Sequence, residues 1–213
     1  MTAGPTWEAL DPVRGLSNHS SGKMGYAVAA AARKAGADVD LISGPTALSA
    51  PSGVRLIAVR SADEMMAAVQ NGIDRCDIFI GVAAVADYRP AHAEESKIKK
   101  NDERVTLELV RNPDILSWVS AHHKRPFTVG FAAETNNPLE YARAKLASKN
   151  LDLIAVNHVS NQNNPFGSDQ NQLVVISATD ESDLGRKSKT QLAAELVGVI
   201  ARKFHERHKT QNS

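Results

Sequence analysis

The densest chemistry in the sequence lies early, in Ser17-Asn18-His19-Ser20-Ser21-Gly22-Lys23-Met24-Gly25. This stretch is small, polar and glycine-bearing, and it runs into an alanine-rich helical segment. Backbone N–H groups in such a loop, and at the helix start behind it, favour an anion. Lys23 adds a point charge, and Asn18 an amide that both donates and accepts. The same residues also suit a plain helix cap, with Ser20 and Ser21 as cap residues and Gly22 turning the backbone. A P-loop is absent: it needs glycine five residues before its Gly-Lys and Ser or Thr after it, and Met24 follows here. Gly-x-Gly-x-x-Gly is absent too. Elsewhere the polar inventory is cationic, with Arg14, Lys97, Lys99, Lys100, Lys145 and Lys149, while Asp87 ends an apolar run. Many positive groups with one or two carboxylates suit a polyphosphate carrying Mg²⁺. Phosphoryl or nucleotidyl transfer depends mostly on positioning and charge stabilisation and needs no protein nucleophile.

Other chemistries are weaker. Tyr141-Ala142-Arg143-Ala144-Lys145 forms the Tyr-x-x-x-Lys pattern of short-chain NAD(P)-dependent reductases, yet the glycine-rich turn those enzymes need is replaced by Ala3-Gly4-Pro5-Thr6. Seven histidines show no metal-ligand spacing, and His122, His123, His205 and His208 fall near helix ends, where exposure is expected. The single cysteine, Cys76, heads the apolar run Ile78-Phe79-Ile80 and reads as a packed thiol. It excludes an internal disulfide and a cysteine metal cluster. The net charge of +1 gives no reason to expect a nucleic acid or a membrane surface as partner. Neither a signal peptide nor a bilayer-long apolar run is visible, so the chain reads as cytoplasmic.

The elements that must position these groups follow from period and punctuation. The chain has 213 residues, 42% hydrophobic and only 5% aromatic, which suits helices packed closely on a parallel sheet in one domain spanning 1–213. Met1 to Thr6 reads as the end of a first strand whose body is missing, and Trp7 to Leu16 as an irregular connection. Gly22 to Lys34 is helical and Gly36 ends it. Strands are expected at Val39–Ile42, Val54–Val59 and Cys76–Val82, with a capping box at Ser61-Ala62-Asp63-Glu64 opening a helix to about Gln70. This alternation predicts an α/β fold: a Rossmann-like, doubly wound, mostly parallel sheet with helices on both faces. In such sheets ligands bind beyond the carboxyl ends of the strands. Residues 88–103 break the pattern and read as a charged flap. Val105–Val110, Phe127–Ala132, Leu151–Val156 and Leu173–Ile176 read as strands. Asn112-Pro113 and Asn137-Pro138 open helices, with asparagine as cap and proline at the first position. Tyr141, Lys145 and Lys149 share one helical face. Residues 157–171 read as an Asn-rich loop, and Ser188-Lys189-Thr190-Gln191 caps the last helix.

The ordered set Ala3-Gly4-Pro5-Thr6, Asp11-Pro12-Val13-Arg14, Ser17 to Gly25, Ala83-Ala84-Val85-Ala86-Asp87-Tyr88, Lys97-Ile98-Lys99-Lys100, Asn112-Pro113-Asp114-Ile115 and Gly130-Phe131-Ala132-Ala133-Glu134-Thr135 closely resembles bacterial phosphopantothenoylcysteine synthetases. The resemblance runs from Thr2 to the final helix. It implies CTP-dependent joining of 4′-phosphopantothenate to L-cysteine through an acyl-cytidylate, with Mg²⁺ held mainly by the CTP phosphates and no metal ligand assigned in the protein. It implies that Asn18 holds the acyl-cytidylate and that Arg14 serves the phosphopantothenate end. Gly81, Val82, Ala83 and Asp87 would line the CTP site, with Lys97 on a flap over the triphosphate. Pro113, Asp114, Ile115, Leu116 and Phe131 would surround the nucleotide, and Lys145 and Lys149 would be further CTP contacts. It further implies a homodimer with a strand-rich dimerisation region, and fusion to or association with a flavin-dependent phosphopantothenoylcysteine decarboxylase. Trp7 stands where the family usually carries arginine.

Overall fold

The computed structural model describes residues 1–99, 104–134, 137–158 and 168–211. In chain order the elements are β1 (Thr2–Ala3), β2 (Trp7–Ala9), β3 (Gly15–Ser17), α1 (Lys23–Lys34), β4 (Asp40–Ser43), β5 (Arg55–Ala58) and α2 (Ala62–Gly72). A 3-10 turn (Ile73–Arg75) leads to β6 (Ile78–Gly81), β7 (Tyr88–Pro90), β8 (Leu109–Arg111), α3 (Ile115–Ser120), β9 (Phe127–Glu134) and α4 (Pro138–Ser148). The chain closes with β10 (Leu153–His158), β11 (Gln170–Ile176), β12 (Glu181–Ser188) and α5 (Lys189–Gln211).

The main sheet has the order β12-β11-β10-β9-β6-β1-β4-β5. The pairings from β10 through β5 are parallel, whereas β11 and β12 are antiparallel. Period-two alternation assigns each strand residue to a face. Ile80, Phe127, Val129, Leu153, Ala155, Leu173 and Val175 meet α1 and α5. Phe79 meets α2 and α3, and Ile154, Val156 and Ile176 meet α4. Helices therefore cover both faces, as the doubly wound pattern requires. Between β4 and β6, β1 contributes Thr2 and Ala3, and the Met1 ammonium donates to the Asp40 carbonyl at 2.8 Å.

Several local expectations need correction. Residues 7–17 form a hairpin, β2 on β3, in place of an irregular connection. The flap begins as a strand, because β7 pairs with β8, and the strand expected from Val105 is confined to Leu109–Arg111. Asn112 does not cap α3. Asp114 does so by accepting from Ser117 N–H at 3.0 Å, which frees Asn112 to donate from Nδ2 to the Ala86 carbonyl at 2.8 Å. Asn157 ends on β10 and Asn171 lies within β11, so the expected Asn-rich loop is shorter at both ends. The strand β12 was not anticipated; its alternation is obscured by Asp183, Arg186 and Lys187 on an edge. Lys100, Thr135 and residues 159–167 lie outside the described residues.

Candidate active site

The chain leaves β1 towards β4 and later returns to the other side of β1 with β6, so the topological switch lies between β1 and β6. The crevice of an open α/β sheet forms at such a point. A cavity of about 590 Å³ opens there.

One wall is the segment leaving β6, with Gly81, Val82, Ala83 and Asp87. It is pinned to the loop after β1: Ala84 N–H donates to the Gly4 carbonyl at 2.9 Å, and Ala86 N–H to Thr6 Oγ1 at 3.0 Å. A second wall is the start of α3, with Pro113, Asp114, Ile115 and Leu116. Phe131 of β9 and Lys145 and Lys149 of α4 complete that side. Lys149 Nζ stands 2.9 Å from Asp114, and Lys145 Nζ donates to the Phe131 carbonyl at 3.0 Å. Burial alone would raise the Asp114 carboxyl. The Ser117 N–H and Lys149 outweigh it and hold the group below its usual value.

The opposite wall is the start of α1, from Ser20 to Met24. Its cap is Gly22 at φ 76°, and among the described residues no side chain caps the first turn. Ser20 and Ser21 therefore do not act as helix caps; Ser20 Oγ accepts from Gly22 N–H at 3.3 Å. First-turn N–H groups at a cavity wall are suited to an anion. Gly25 lets α1 descend onto β1, since a Cβ there would lie 2.5 Å from Ala3 Cβ.

Sequence reasoning missed the far end of the cavity, where Asn157, Asn171 and Lys189 join Lys23. Lys23 Nζ pairs with Asp169 at 2.7 Å. Lys189 is only 7% exposed; burial, then repulsion from Lys23, lowers its pKa, and Asp169 acts in the opposite direction. A usable signal existed: Asn171 shares the inward phase of Leu173 and Val175, an unusual place for an amide.

The remaining predicted residues lie outside the cavity lining. Asn18 sits at the rim, its Nδ2 donating to the Ala84 carbonyl at 2.8 Å. Arg14 and Lys97 do not line the cavity. Arg14 Nη2 is 2.6 Å from Asp11 Oδ2 and 2.9 Å from the Ile98 carbonyl, beside exposed Lys97. Trp7 stacks under the Arg60 guanidinium, 5.8 Å from ring to Cζ, so a positive charge stands next to position 7 although that residue is aromatic. Tyr141 is 56% exposed and does not line the cavity, unlike Lys145, so the tyrosine of the reductase pattern does not face the crevice. His122 is not exposed as expected: its side chain is 13% exposed and packs on Trp118 with ring centroids 5.1 Å apart. With His123 and Asp74 it places one ligand atom each within 4.8 Å, a grouping invisible in sequence spacing, but none of the three lines the cavity.

Fold and cleft together define a Rossmann-like α/β domain whose switch-point crevice is built from amides and lysines. The chain belongs to the DNA/pantothenate metabolism flavoprotein C-terminal domain family, whose model matches residues 1–204. It is 50% identical over 208 residues to the coenzyme A biosynthesis bifunctional protein CoaBC of Haemophilus influenzae, covering 97% of this chain and 52% of that protein. It is 48% identical over 213 residues to the CoaBC of Escherichia coli, covering 98% and 52%. The chain thus spans about half the length of these relatives. Its fold matches a crystal structure of the C-terminal domain of a coenzyme A biosynthesis bifunctional protein CoaBC with a TM-score of 0.82 and 37% identity, covering 96% of this chain and 94% of that one.

Proposed function

We propose that the chain is a phosphopantothenate–cysteine ligase that uses CTP, working as one domain over 1–213 with a flap at about 88–103. The substrate carboxylate attacks the α-phosphate of CTP and pyrophosphate leaves. The cysteine amine then attacks the acyl-cytidylate carbonyl, giving 4′-phosphopantothenoylcysteine and CMP. Two anions must meet in the first step, so the site must offset their repulsion, and the activated intermediate must be kept from water.

The observation that carries this reading is the single crevice shared by Gly81, Val82, Ala83, Asp87, the Pro113–Leu116 turn, Phe131, Lys145 and Lys149. The β6 segment and α3 start would hold the nucleoside, and the lysines its phosphates. Asn18, bonded to Ala84 at the rim, would orient the acyl group. Among the described residues, Asp87 is an exposed carboxylate on the cavity wall, a hard oxygen donor suited to a phosphate-bound Mg²⁺, which supplies charge neutralisation when present. Arg14 and Lys97 stand outside their own protomer's cavity, a placement that fits a homodimer in which a twofold mate completes the site. The relatives named bifunctional support fusion to, or association with, a flavin-dependent decarboxylase. No helix among the described residues is long and apolar enough to cross a membrane, and we place the activity in the cytoplasm.

The test is pyrophosphate release from CTP, Mg²⁺, 4′-phosphopantothenate and L-cysteine, with ATP in place of CTP as comparison. Release that requires CTP and phosphopantothenate is expected. Saturable NADPH binding with no pyrophosphate release would overturn the reading.

A further inference from the structure

The crevice lies beyond the carboxyl ends of the strands, and a different chemistry collects at their amino ends. β6 and β9 are parallel neighbours, so the turns that feed them lie side by side. The 3-10 turn before β6 carries Asp74, and the turn between α3 and β9 carries His122, His123 and Lys124. Three basic groups there face one oxygen. From Asp74 Oδ1, His122 Nε2 stands 3.8 Å away, His123 Nε2 4.0 Å and Lys124 Nζ 3.9 Å. None closes to the roughly 2.7–3.2 Å of a hydrogen bond; they stand off around a common centre. Ligands bound to a tetrahedral ion at about 2.0–2.1 Å lie roughly 3.3–3.5 Å from one another. The imidazoles and the carboxylate need to close by only about half an ångström to seat one.

His122 anchors the group. Its ring packs on Trp118 and lies against His123 with centroids 4.3 Å apart. Its Nδ1 accepts the Lys124 N–H at 3.2 Å, which leaves Nε2 turned to Asp74. Ligation through Nε2 moves the ring proton to Nδ1 and gives up that long bond, a cost of about tenfold in affinity at most. Asp74 and His123 are exposed and can rotate inward.

We propose that Asp74, His122 and His123 form a binding site for a divalent transition ion of the zinc class, with water at the remaining position. Two imidazoles and one carboxylate suit such an ion and do not suit Mg²⁺, which prefers oxygen ligands. The bound ion ties the turn before β6 to the turn before β9. None of its three ligands lines the crevice, so it stands apart from the ligase chemistry. The Lys124 ammonium competes for the same Asp74 oxygen and swings into solvent when the ion binds.

Isothermal titration of the full chain without an affinity tag tests this, using Zn²⁺ and, separately, Mg²⁺. One Zn²⁺ per chain is expected, and Mg²⁺ should not displace it. Asp74→Asn and His123→Gln, both at exposed positions, should each weaken Zn²⁺ about tenfold or more. Lys124→Met should tighten it about two- to fivefold by removing a competing charge. Zn²⁺ at about a hundredfold excess over its Kd should raise melting by roughly 5–10 °C. Imidazole nitrogen NMR of the zinc-loaded chain should show His122 protonated at Nδ1. Unchanged Zn²⁺ affinity in folded Asp74→Asn and His123→Gln would place the ion on other histidines and overturn the proposal. The absence of stoichiometric Zn²⁺ binding, or an Nε2-protonated His122 at saturation, would overturn it as well.

Discussion

Gly25→Ala tests whether contact between α1 and β1 sets the height of the crevice wall. The new Cβ would sit 2.5 Å from Ala3 Cβ and 3.2 Å from Ala3 Cα, where ordinary contact is 3.4–4 Å. Ala3 is fully buried in the central strand and cannot retreat, so α1 must lift by about 1 Å. Two effects compete. Alanine is better than glycine in a helix interior by about 1 kcal/mol. Overpacking of a dense contact costs roughly 1–3 kcal/mol. The contact should win by about 1 kcal/mol, which lowers the melting temperature of a domain this size by about 2–4 °C. Gly198→Ala is the matched control, because nothing lies within 4 Å of the Cβ it would add on α5. It carries the same propensity gain with no clash and should raise melting by about 2–4 °C. Differential scanning fluorimetry on both variants reads the difference, and CTP titration of Gly25→Ala should show weakened binding as the Ser20–Met24 wall moves. If the two variants stabilise the protein equally, the close-contact reasoning is wrong.

Three further outcomes are expected. Burial raises the Cys76 thiol above its usual pKa, so a thiol-exchange reagent at pH 8 should react severalfold more slowly with native than with denatured protein. Asn18→Asp should still release pyrophosphate but slow the amide step, so that acyl-cytidylate accumulates on chromatography; equal loss of both half-reactions would contradict the orienting role given to Asn18. The Asp11 carboxyl is held well below the usual range, first by its hydrogen bond to Arg14, against burial. Its native pKa being depressed, its contribution is complete above the unfolded value of about 3.9 and is lost only as pH falls through the lower native value. Asp11→Asn should therefore speed amide exchange at Ile98 at neutral pH, an effect that deuterium uptake by mass spectrometry would reveal.

The legible part of the fold was the part written in periodicity. Ile78, Phe79 and Ile80 are apolar on successive positions because β6 is buried on both faces. The Ser61 cap is local and appears as read, with Glu64 N–H donating to Ser61 Oγ at 3.1 Å, while the Glu64 carboxylate accepts from the Arg60 N–H one residue before the position a capping box uses. The hairpin of residues 7–17 was hidden because its turn rests on Asp11, whose carboxylate accepts from Val13 and Arg14 N–H at 2.8 Å, in place of a glycine turn. Asp114 and Asn112 exchanged roles because an Asn-Pro start looks the same whether the asparagine caps the helix or reaches across to Ala86. In the crevice, motif resemblance pointed to the β6, α3, β9 and α4 residues. Lys189 and Asn171 escaped because each matched an ordinary local role, a helix start and a loop amide, and only the register of β11 and the place of the α5 start at the cavity reveal otherwise.

The knot at Asp11 bears on how far Lys97 can travel. Asp11 Oδ2 receives the Ile98 N–H at 3.1 Å while Arg14 holds the Ile98 carbonyl, and Glu94 N–H is moored to the Leu10 carbonyl at 2.9 Å. The lysine is thus leashed on both flanks to the tip of the hairpin. Whatever it greets must come to the hairpin, carried there by ligand or by a neighbouring molecule. The backbone at Lys97 behaves as a berth, and only the side chain is left to swing.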